Sequence, residues 1–225
     1  LQKEPEAADE DEKLEYWYGV MKTNSENAVR TIFGEDRALL VRPTYMMGPG
    51  DGSDRFTYWP VRMAQGGEVV VPGKANDQVQ YIDVRDVAEW MIRLIESNAT
   101  GNFNAVGPET KIGMLDFVKE VQSVFDVPTN LTVIDDYDFL KEHKVYYSVP
   151  WIMPEGKNYG SAMVSNAKAL TNGLTYRPLT TSVKEIYAWW QTDAVSQERK
   201  ERMTTGEHSL MAKEKGLLEA WKNRA

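Results

Sequence analysis

A tyrosine and a lysine stand four residues apart in the stretch EYWYGVMKTNSENAV, as Tyr18 and Lys22. Residues at this spacing share a face of an α-helix, so both side chains can face one substrate. An ammonium beside a phenol favours its ionised form, and such a tyrosine exchanges a proton with a hydroxyl or carbonyl group near neutral pH. The same spacing is common between surface neighbours, so the pair alone leaves both interpretations open.

The composition of the chain excludes several other kinds of site. A formal net charge of −8 over 225 residues argues against binding nucleic acid or an anionic membrane, because Lys and Arg bind phosphate groups. There is no cysteine, and His143 and His208 lie in no metal-ligand spacing, so we expect no metal site. No apolar run approaches the roughly 20 residues of a membrane span, and the acidic opening LQKEPEAADEDEK is no signal peptide, which favours the cytoplasm.

Apolar periodicity predicts strands that alternate with helices. A helix is expected from about Leu14 to Gly34, followed by a buried strand over 38–41 that Pro43 closes. A second strand over 79–84 leads directly into another helix. The positions predicted to face the core are Val20, Val29, Ile32 and Phe33 in the first helix and Val87, Met91, Leu94 and Ile95 in the second. This alternation indicates βα units, a largely parallel sheet and the α/β class.

Three motifs follow one another in a diagnostic order: YGVMK at 18–22, RPTYMMGP at 42–49 and IDVRDVA at 82–88. This order resembles the extended short-chain dehydrogenase/reductase superfamily, in its NAD-dependent epimerase/dehydratase group. Further segments, from RFTYWPVRMAQGG to SVKEIYAWW, resemble an atypical branch of that group whose members are usually labelled reductase or epimerase. The resemblance covers about residues 14–192.

The resemblance implies an NAD(P)-dependent oxidoreductase or epimerase that acts on a hydroxyl or carbonyl carbon of a small, sugar-like molecule. Tyr18 would be the acid/base, and Lys22 would assist it and hold the nicotinamide ribose of NAD or NADP. The backbone after the Arg-Pro pair would lie against the nicotinamide, with the candidates Pro43, Thr44, Tyr45 and Met46. Substrate contacts are expected from Arg55, Tyr58 and Trp59, which offer a charge and aromatic faces.

The resemblance also predicts how the chain is divided. We expect a Rossmann-type doubly wound parallel sheet, of which this chain holds the C-terminal part, with a smaller α/β substrate-binding region. The predicted parts are an acidic loop at 1–13, the Rossmann-type part at 14–50 and 79–96, the substrate-binding region at 51–78 and 97–192, and a charged helical tail at 193–225. Asp86 is expected to cap a helix or to bind backbone amides, and Arg177 to form a structural ion pair.

Two departures from the family pattern matter. No glycine-rich phosphate loop precedes Tyr18, so we expect an N-terminal segment of the same protein to supply the rest of the cofactor site. Val79 stands where nucleotide-sugar epimerases commonly carry an arginine for the substrate phosphate, which favours a smaller or less charged alcohol or ketone.

Two other functions stay open at this point. The chain resembles RNA-associated members of the same fold as well, so a non-catalytic protein that binds RNA or protein is the alternative, although the acidic charge argues against RNA. A scaffold subunit is the third, since Leu217, Leu218 and Trp221 of the tail could pack on a partner or on their own domain. The resemblance is also compatible with a homodimer that pairs through the YxxxK helix.

Overall fold

The computed structural model of the protein describes residues 10–206 and 209–224. The strands within these residues are β1 Leu39–Pro43, β2 Tyr45–Met47, β3 Gly67–Pro72, β4 Gln78–Val79, β5 Tyr81–Asp83, β6 Gly101–Ala105, β7 Ile112–Gly113, β8 Thr129–Ile134, β9 Tyr147–Ser148 and β10 Trp151–Ile152. The helices are α1 Glu10–Phe33, α2 Tyr58–Met63, α3 Val84–Glu96, α4 Met114–Gln122, α5 Tyr137–Glu142, α6 Ala167–Thr171, α7 Leu179–Trp190, α8 Gln197–Thr205 and α9 Leu210–Lys222, with a 3-10 turn at Gly156–Asn158.

The longer strands pair in parallel. β1 pairs with β6, β2 with β5, and β3 with β8, whereas the two-residue pairs β4–β7 and β9–β10 are antiparallel. Thr44 lies between β1 and β2 and donates its backbone N–H to the carbonyl of Ala105 at 3.2 Å. The chain therefore runs on from β1 into β2 while it changes strand partner. Parallel strands alternating with helices confirm the predicted α/β class.

The ends of the two helices nearest the predicted site follow their local sequence. Gly34 ends α1 with a φ of +84°, and its N–H donates to the carbonyl of Arg30 at 2.9 Å. Asp83 caps the start of α3, because its carboxylate accepts the N–H of Arg85 at 2.9 Å. Both boundaries are those that the sequence predicts to within a residue or two.

The buried side chains form one large cluster and two smaller ones. The large cluster joins β3, α2, α4 and α7 around Trp59, Phe117 and Trp151. A second cluster packs α3 on β5 and β6 around Trp90 and Phe103. The third joins α2 to the segment after α7. The second cluster supports the strand ends that carry the predicted cofactor wall.

Several core positions predicted from periodicity are exposed. Val87 and Leu94 of α3 are buried as expected, but Ile32 in α1 is 73% exposed and Ile95 in α3 is 63% exposed. Phe33 and Met91 are exposed too, and Val20 and Val29 are only half-buried. The periodicity predicted burial at these positions, but nothing among the described residues covers the exposed side chains.

Two predicted boundaries also differ from the structure. Residues 1–9 of the expected acidic loop lie outside the described residues, and Glu10 already begins α1, so residues 10–13 are helical. β6 was expected in the substrate-binding region, yet it pairs in parallel with β1 along its whole length. Because β6 and β1 share one sheet, we propose that residues 101–105 group with the predicted Rossmann-type part.

The C-terminal tail packs on the body of the protein. Leu217 and Leu218 of α9 are buried in the large cluster, so the tail packs on its own domain, which was one of the two interpretations left open. Glu214 of α9 accepts a hydrogen bond from Arg62 Nε at 2.5 Å and another from the N–H of Val70 at 2.9 Å. Burial raises the pKa of Glu214, and these bonds act in the opposite direction. Among the described residues, none of the helices has the length and apolar character needed to cross a membrane.

Candidate active site

Tyr18 and Lys22 lie on one face of α1, as their spacing predicts. The ammonium of Lys22 lies 5.3 Å from the centre of the Tyr18 ring. Lys22 has no carboxylate partner among the described residues, which leaves its ammonium available to a ligand. Both side chains are exposed, and 59% of the Tyr18 surface is open to solvent. The pair is therefore formed, but the described residues build no wall over it.

The C-terminal half of α1 is fixed to the sheet by two polar contacts. Arg42 donates to both carboxylate oxygens of Glu26, at 2.6 and 2.5 Å. The hydrogen bond from Arg42 lowers the pKa of Glu26 against a smaller opposing effect of burial. One turn further along, Arg30 donates to the side-chain oxygen of Asn102 in β6 at 2.7 Å. These contacts set the position of α1 along β1.

The same contacts define how residues of α1 correspond to residues of β1 and β2. Asn102 lies opposite Leu40 in the sheet, so Arg30 is level with position 40 and Glu26 with position 42. Four residues of a helix advance about 6 Å and two residues of a strand about 6.6 Å. Four residues of α1 therefore correspond to two residues of β1, counted in opposite directions along the chain. If α1 kept this relation to the chain beyond β1, Lys22 would come level with position 44 and Tyr18 with position 46.

The wall itself is the extended run from the end of β1 through β2. Pro43 and Met46 are exposed, and Thr44 and Tyr45 are half-buried. The N–H of Thr44 is bound to the next strand, which fixes the backbone at this point. An exposed and rigid strand end at this place gives a flat ring a surface to lie against.

Arg55 lies close to Tyr45. Its guanidinium carbon is 5.4 Å from the centre of the Tyr45 ring, within the range of a cation–π contact. Burial raises the pKa of Tyr45, and the nearby charge of Arg55 acts in the opposite direction. Arg55 is exposed, so its charge lies at the edge of the site rather than in the core.

Tyr58 and Trp59 have a different place from the one predicted. Trp59 is 0% exposed, and its indole N–H donates to the carbonyl of Val149 at 2.9 Å. Tyr58 is buried too, its hydroxyl has no hydrogen-bond partner among the described residues, and burial raises its pKa well above the ordinary value. Both rings pack in the large cluster, because α2 turns this apolar face away from solvent. In this structure they support the loop that carries Arg55.

Asp86 binds a backbone amide and Arg177 forms an ion pair, as expected of each, and the structure shows that they do so with each other. The guanidinium of Arg177 forms an ion pair with the Asp86 carboxylate, which also accepts the backbone N–H of Arg177 at 2.9 Å. Asp86 thus binds a backbone amide, whereas the helix cap is Asp83. The contact joins α3 to the start of α7 and leaves neither group available for chemistry.

The loop between β2 and α2 contains a feature that the sequence analysis missed. Gly48 lies so close to α3 that a Cβ there would come within 2.9 Å of Val84 Cγ1, which is why this position needs glycine. Asp54, later in the loop, has a φ of +56° and binds Arg199 of α8. No spacing in the sequence connects Asp54 with Arg199, because the two lie 145 positions apart.

A pocket of about 260 Å³ opens beyond the ends of β2 and β5. Its lining includes Met47, Tyr81, Asp83, Pro108 and Glu120. Burial raises the pKa of Tyr81. Tyr18, Lys22 and Arg55 do not line this pocket, so it is separate from the predicted site.

Comparison with known proteins identifies the chain's relatives. The model of the NAD dependent epimerase/dehydratase family matches residues 2–106. A dTDP-4-dehydro-6-deoxy-D-allose reductase of Streptomyces bikiniensis is 30% identical over 107 residues, which are 45% of this chain and 32% of the relative. The chain thus spans about a third of the length of that curated relative.

Solved structures share the fold at low identity. RMD of Pseudomonas aeruginosa, in complex with NADPH, is 16% identical with a TM-score of 0.52, over 78% of this chain and 56% of that one. A dTDP-4-dehydrorhamnose reductase of Clostridium acetobutylicum is 19% identical with a TM-score of 0.53 at the same coverage. These likenesses are to proteins with a Rossmann-type fold, of which the described sheet holds a part. The three motifs YGVMK, RPTYMMGP and IDVRDVA all lie inside the residues that match the NAD dependent epimerase/dehydratase family model, which make up a little under half of the chain.

Proposed function

We propose that the whole protein is an NAD(P)-dependent oxidoreductase or epimerase that acts on a hydroxyl or carbonyl carbon of a sugar-like molecule. The observation that supports the proposal is the Tyr18–Lys22 pair on α1, in a helix that the contact between Glu26 and Arg42 ties to β1 just before residues 43–46. The match of residues 2–106 to the family model and the NADPH bound to the Pseudomonas aeruginosa neighbour support the choice of cofactor.

In this proposal each residue has one chemical role. Tyr18 gives its hydroxyl proton to the carbonyl oxygen during reduction, and takes the proton from the alcohol in the reverse direction. The ammonium of Lys22 stabilises the phenolate left behind and donates to the ribose hydroxyls. A bound nicotinamide supplies or accepts the hydride. The partly exposed strand end at 43–46 and the ammonium of Lys22, which has no carboxylate partner among the described residues, fit the nicotinamide end of such a cofactor.

The rest of the cofactor site would come from another segment of the same protein. β1 pairs with β6 on one edge and has no strand on its other edge among the described residues. Parallel strands are stable in larger, covered sheets, so an isolated two-stranded parallel pair is an incomplete unit. We propose that the nucleotide-binding strands of the protein pair with this open edge of β1. Their helices would cover the exposed apolar residues of α1.

Two residues bear on the choice of substrate: Arg55, which carries a charge, and Val79, which carries none. Arg55 offers an exposed guanidinium over Tyr45. Val79 is buried in the core, so no phosphate is bound at the position where related epimerases commonly use arginine. The substrate would therefore contact Arg55 with its polar end, whether it is a free or a nucleotide-linked sugar. The relatives act on nucleotide-linked sugars by name, which makes that class the first to test.

A non-catalytic RNA-binding role receives less support from the surface. Most arginines of the described residues hold carboxylates; the pairs with Asp or Glu involve Arg30, Arg42, Arg62, Arg85, Arg177, Arg199, Arg202 and Arg224. Arginines engaged in this way do not form the open basic stripe that binds a phosphate backbone.

The proposal is tested by turnover in the full-length protein. NADPH and NADH are each mixed with dTDP-linked 4-keto-6-deoxy sugars and with the corresponding free keto sugars, and oxidation of the cofactor is followed by absorbance. We expect oxidation with at least one of these carbonyl compounds. Dinucleotide binding with no reaction on either class, and with no epimerisation of the corresponding alcohols, would contradict an enzymatic role.

A further inference from the structure

Helix α8 holds the loop that carries Arg55. The guanidinium of Arg199 binds the carboxylate of Asp54 through two hydrogen bonds, from Nε and Nη2, each 2.6 Å long. Arg199 also donates to the backbone carbonyl of Asp51 in the same loop. A planar guanidinium that meets a carboxylate with two bonds is among the strongest and most directional polar contacts in proteins.

The loop needs such a contact. Asp54 has a φ of +56°, in the left-handed region that residues with a side chain avoid. A conformation of this kind persists where the surrounding structure holds it. Because Arg199 binds both the side chain of Asp54 and the carbonyl three residues earlier, it fixes the loop on both sides of this turn.

Arg199 is itself held in place. Its guanidinium carbon lies 5.1 Å from the centre of the Trp189 ring in α7, and its backbone N–H binds the capping hydroxyl of Ser196 at 3.3 Å. The side chains of Arg199 and Asp54 are only 20% and 14% exposed. Solvent and salt therefore screen this pair less than they screen the exposed ion pairs of the surface.

Arg55 follows Asp54 directly and lies over Tyr45. We infer that Arg199 is a positioning residue, which acts through Asp54 to hold Arg55 against Tyr45. Its kinetic consequence rests on the proposed function, because Arg55 contacts the substrate only if that function is correct. We call the contact of Arg199 with Asp54 and Asp51 the clamp. Since Arg55 contributes binding rather than proton transfer, loss of the clamp should weaken substrate affinity and leave the chemical step nearly unchanged.

The chain offers a matched control on the same helix. Arg202 carries the same charge, lies 3.9 Å from Asp54 Oδ2, and its side chain is 67% exposed. Arg199→Ala and Arg202→Ala remove one positive charge each, but only the first removes the two-bond contact. Arg199→Lys keeps the positive charge but removes the planar guanidinium that makes two parallel hydrogen bonds. Asp54→Asn removes the negative charge but keeps a side chain that tolerates the left-handed conformation.

The first measurement is amide hydrogen exchange across residues 51–56 in the full-length protein without substrate. We expect exchange to rise about tenfold in Arg199→Ala, and less in Arg199→Lys, with the thermal midpoint and the exchange of β3 unchanged in the lysine variant. Arg202→Ala should match the wild type. Equal exchange in the two alanine variants would overturn the clamp, and this result is independent of any enzymatic activity.

The second measurement uses NADPH and the dTDP-linked 4-keto-6-deoxy sugar as the probe. We expect KM to rise about tenfold in Arg199→Ala with kcat within about twofold of the wild type. The double variant with Asp54→Asn should be no worse than the worse single variant, because both changes remove one contact. A fall in kcat at constant KM, or additive effects, would overturn the positioning role. Failure of the wild type to react would count against the proposed function alone, since hydrogen exchange still decides the clamp.

Discussion

At the scale of single residues, Asp83 joins the sheet to two helices. Its carboxylate caps α3, accepts hydrogen bonds from the side chain of Arg85, and accepts the hydroxyl of Ser182 in α7 at 2.6 Å. Burial raises the pKa of this carboxyl, but the hydrogen bonds outweigh burial and bring the pKa below the ordinary value. Asp83 therefore stays ionised and stabilises the strand end that borders the site.

We expect Asp83→Asn to lower the free energy of unfolding by about 1–2 kcal/mol, since it removes a cap and a charged acceptor. Because the folded pKa is lowered, this contribution is present above the ordinary carboxyl range near pH 4 and is lost as the pH falls through the folded value. Urea unfolding at pH 7 and at pH 3 measures both effects.

The control is Glu185→Gln, which removes the exposed second partner of the same arginine, Arg85. It should change stability little at either pH, because an exposed ion pair contributes little. An equal loss from both variants would mean that Asp83 acts only through Arg85.

The residue scale also marks a limit of the sequence. Tyr18, Lys22 and Arg55 stay predictions from type and position, whereas the backbone contact of Asp86 and the ion pair of Arg177 were each expected, without their being partners. The burial of Tyr58 and Trp59 was not predicted, because the sequence alone does not distinguish an aromatic side chain in the core from one that lines a pocket. Which way α2 turns its rings depends on the packing of α4 and α7, which are 50 or more residues away.

At the scale of elements, the placement of α1 against β1 determines the site. One contact between Glu26 and Arg42 and one between Arg30 and Asn102 set how far along the strand the helix lies. A slide by one residue would move Tyr18 by about 1.5 Å relative to position 46. Such a shift is large for proton transfer, which requires atoms within hydrogen-bond reach.

If the proposed function holds, we expect Glu26→Gln to reduce turnover of the full-length protein about tenfold while it changes the free energy of unfolding by less than about 1 kcal/mol. The reason is that a neutral amide holds Arg42 less firmly, so α1 gains freedom along β1. Steady-state kinetics and urea unfolding on the same samples measure the two effects.

Glu35→Gln is the matched change, since Glu35 is an exposed carboxylate 3.6 Å from Arg30 just beyond α1. It should leave both turnover and stability near the wild-type values. If Glu26→Gln behaved like Glu35→Gln, the helix position would not depend on the contact with Arg42.

The elements themselves were largely predictable. The α1 stop at Gly34, the strand after it and the β5–α3 junction follow from glycine, apolar runs and an aspartate cap. Strand partners were not predictable, because pairing joins residues that are distant in sequence. The pairing of β6 with β1 was not predicted for this reason. The Arg199–Asp54 contact was not predicted, because its two residues are also distant in sequence.

At the scale of the whole molecule, α1 and α3 carry exposed apolar side chains that no described residue covers. In α1 these residues include Leu14, Trp17, Met21 and Ile32, and in α3 they are Val84, Met91, Ile92 and Ile95. The α3 residues recur at helical spacing beside the buried face, so the apolar surface of α3 extends beyond the side that is buried. A helix of that kind belongs inside a larger assembly, such as the complete enzyme or a dimer.

We predict that the α1 surface is buried in the full-length protein. Met21→Asp should then lower the free energy of unfolding by about 1–3 kcal/mol, because a charge would enter an apolar contact. Thermal or urea unfolding of the full-length chain provides the measurement. Asn24→Asp places the same charge at an exposed polar position of α1 and should have little effect. A neutral result for Met21→Asp would mean that this surface faces solvent in the complete protein.

The central claim is that Tyr18 transfers the proton while Lys22 assists it beside a nicotinamide. The most direct measurement compares kcat/KM and NADPH affinity in the full-length wild type and Tyr18→Phe. We predict that kcat/KM falls by about 100-fold or more, while the Kd for NADPH stays within about twofold, because only the hydroxyl is removed. Turnover at the wild-type rate in Tyr18→Phe would contradict the claim and remove Tyr18 from the mechanism.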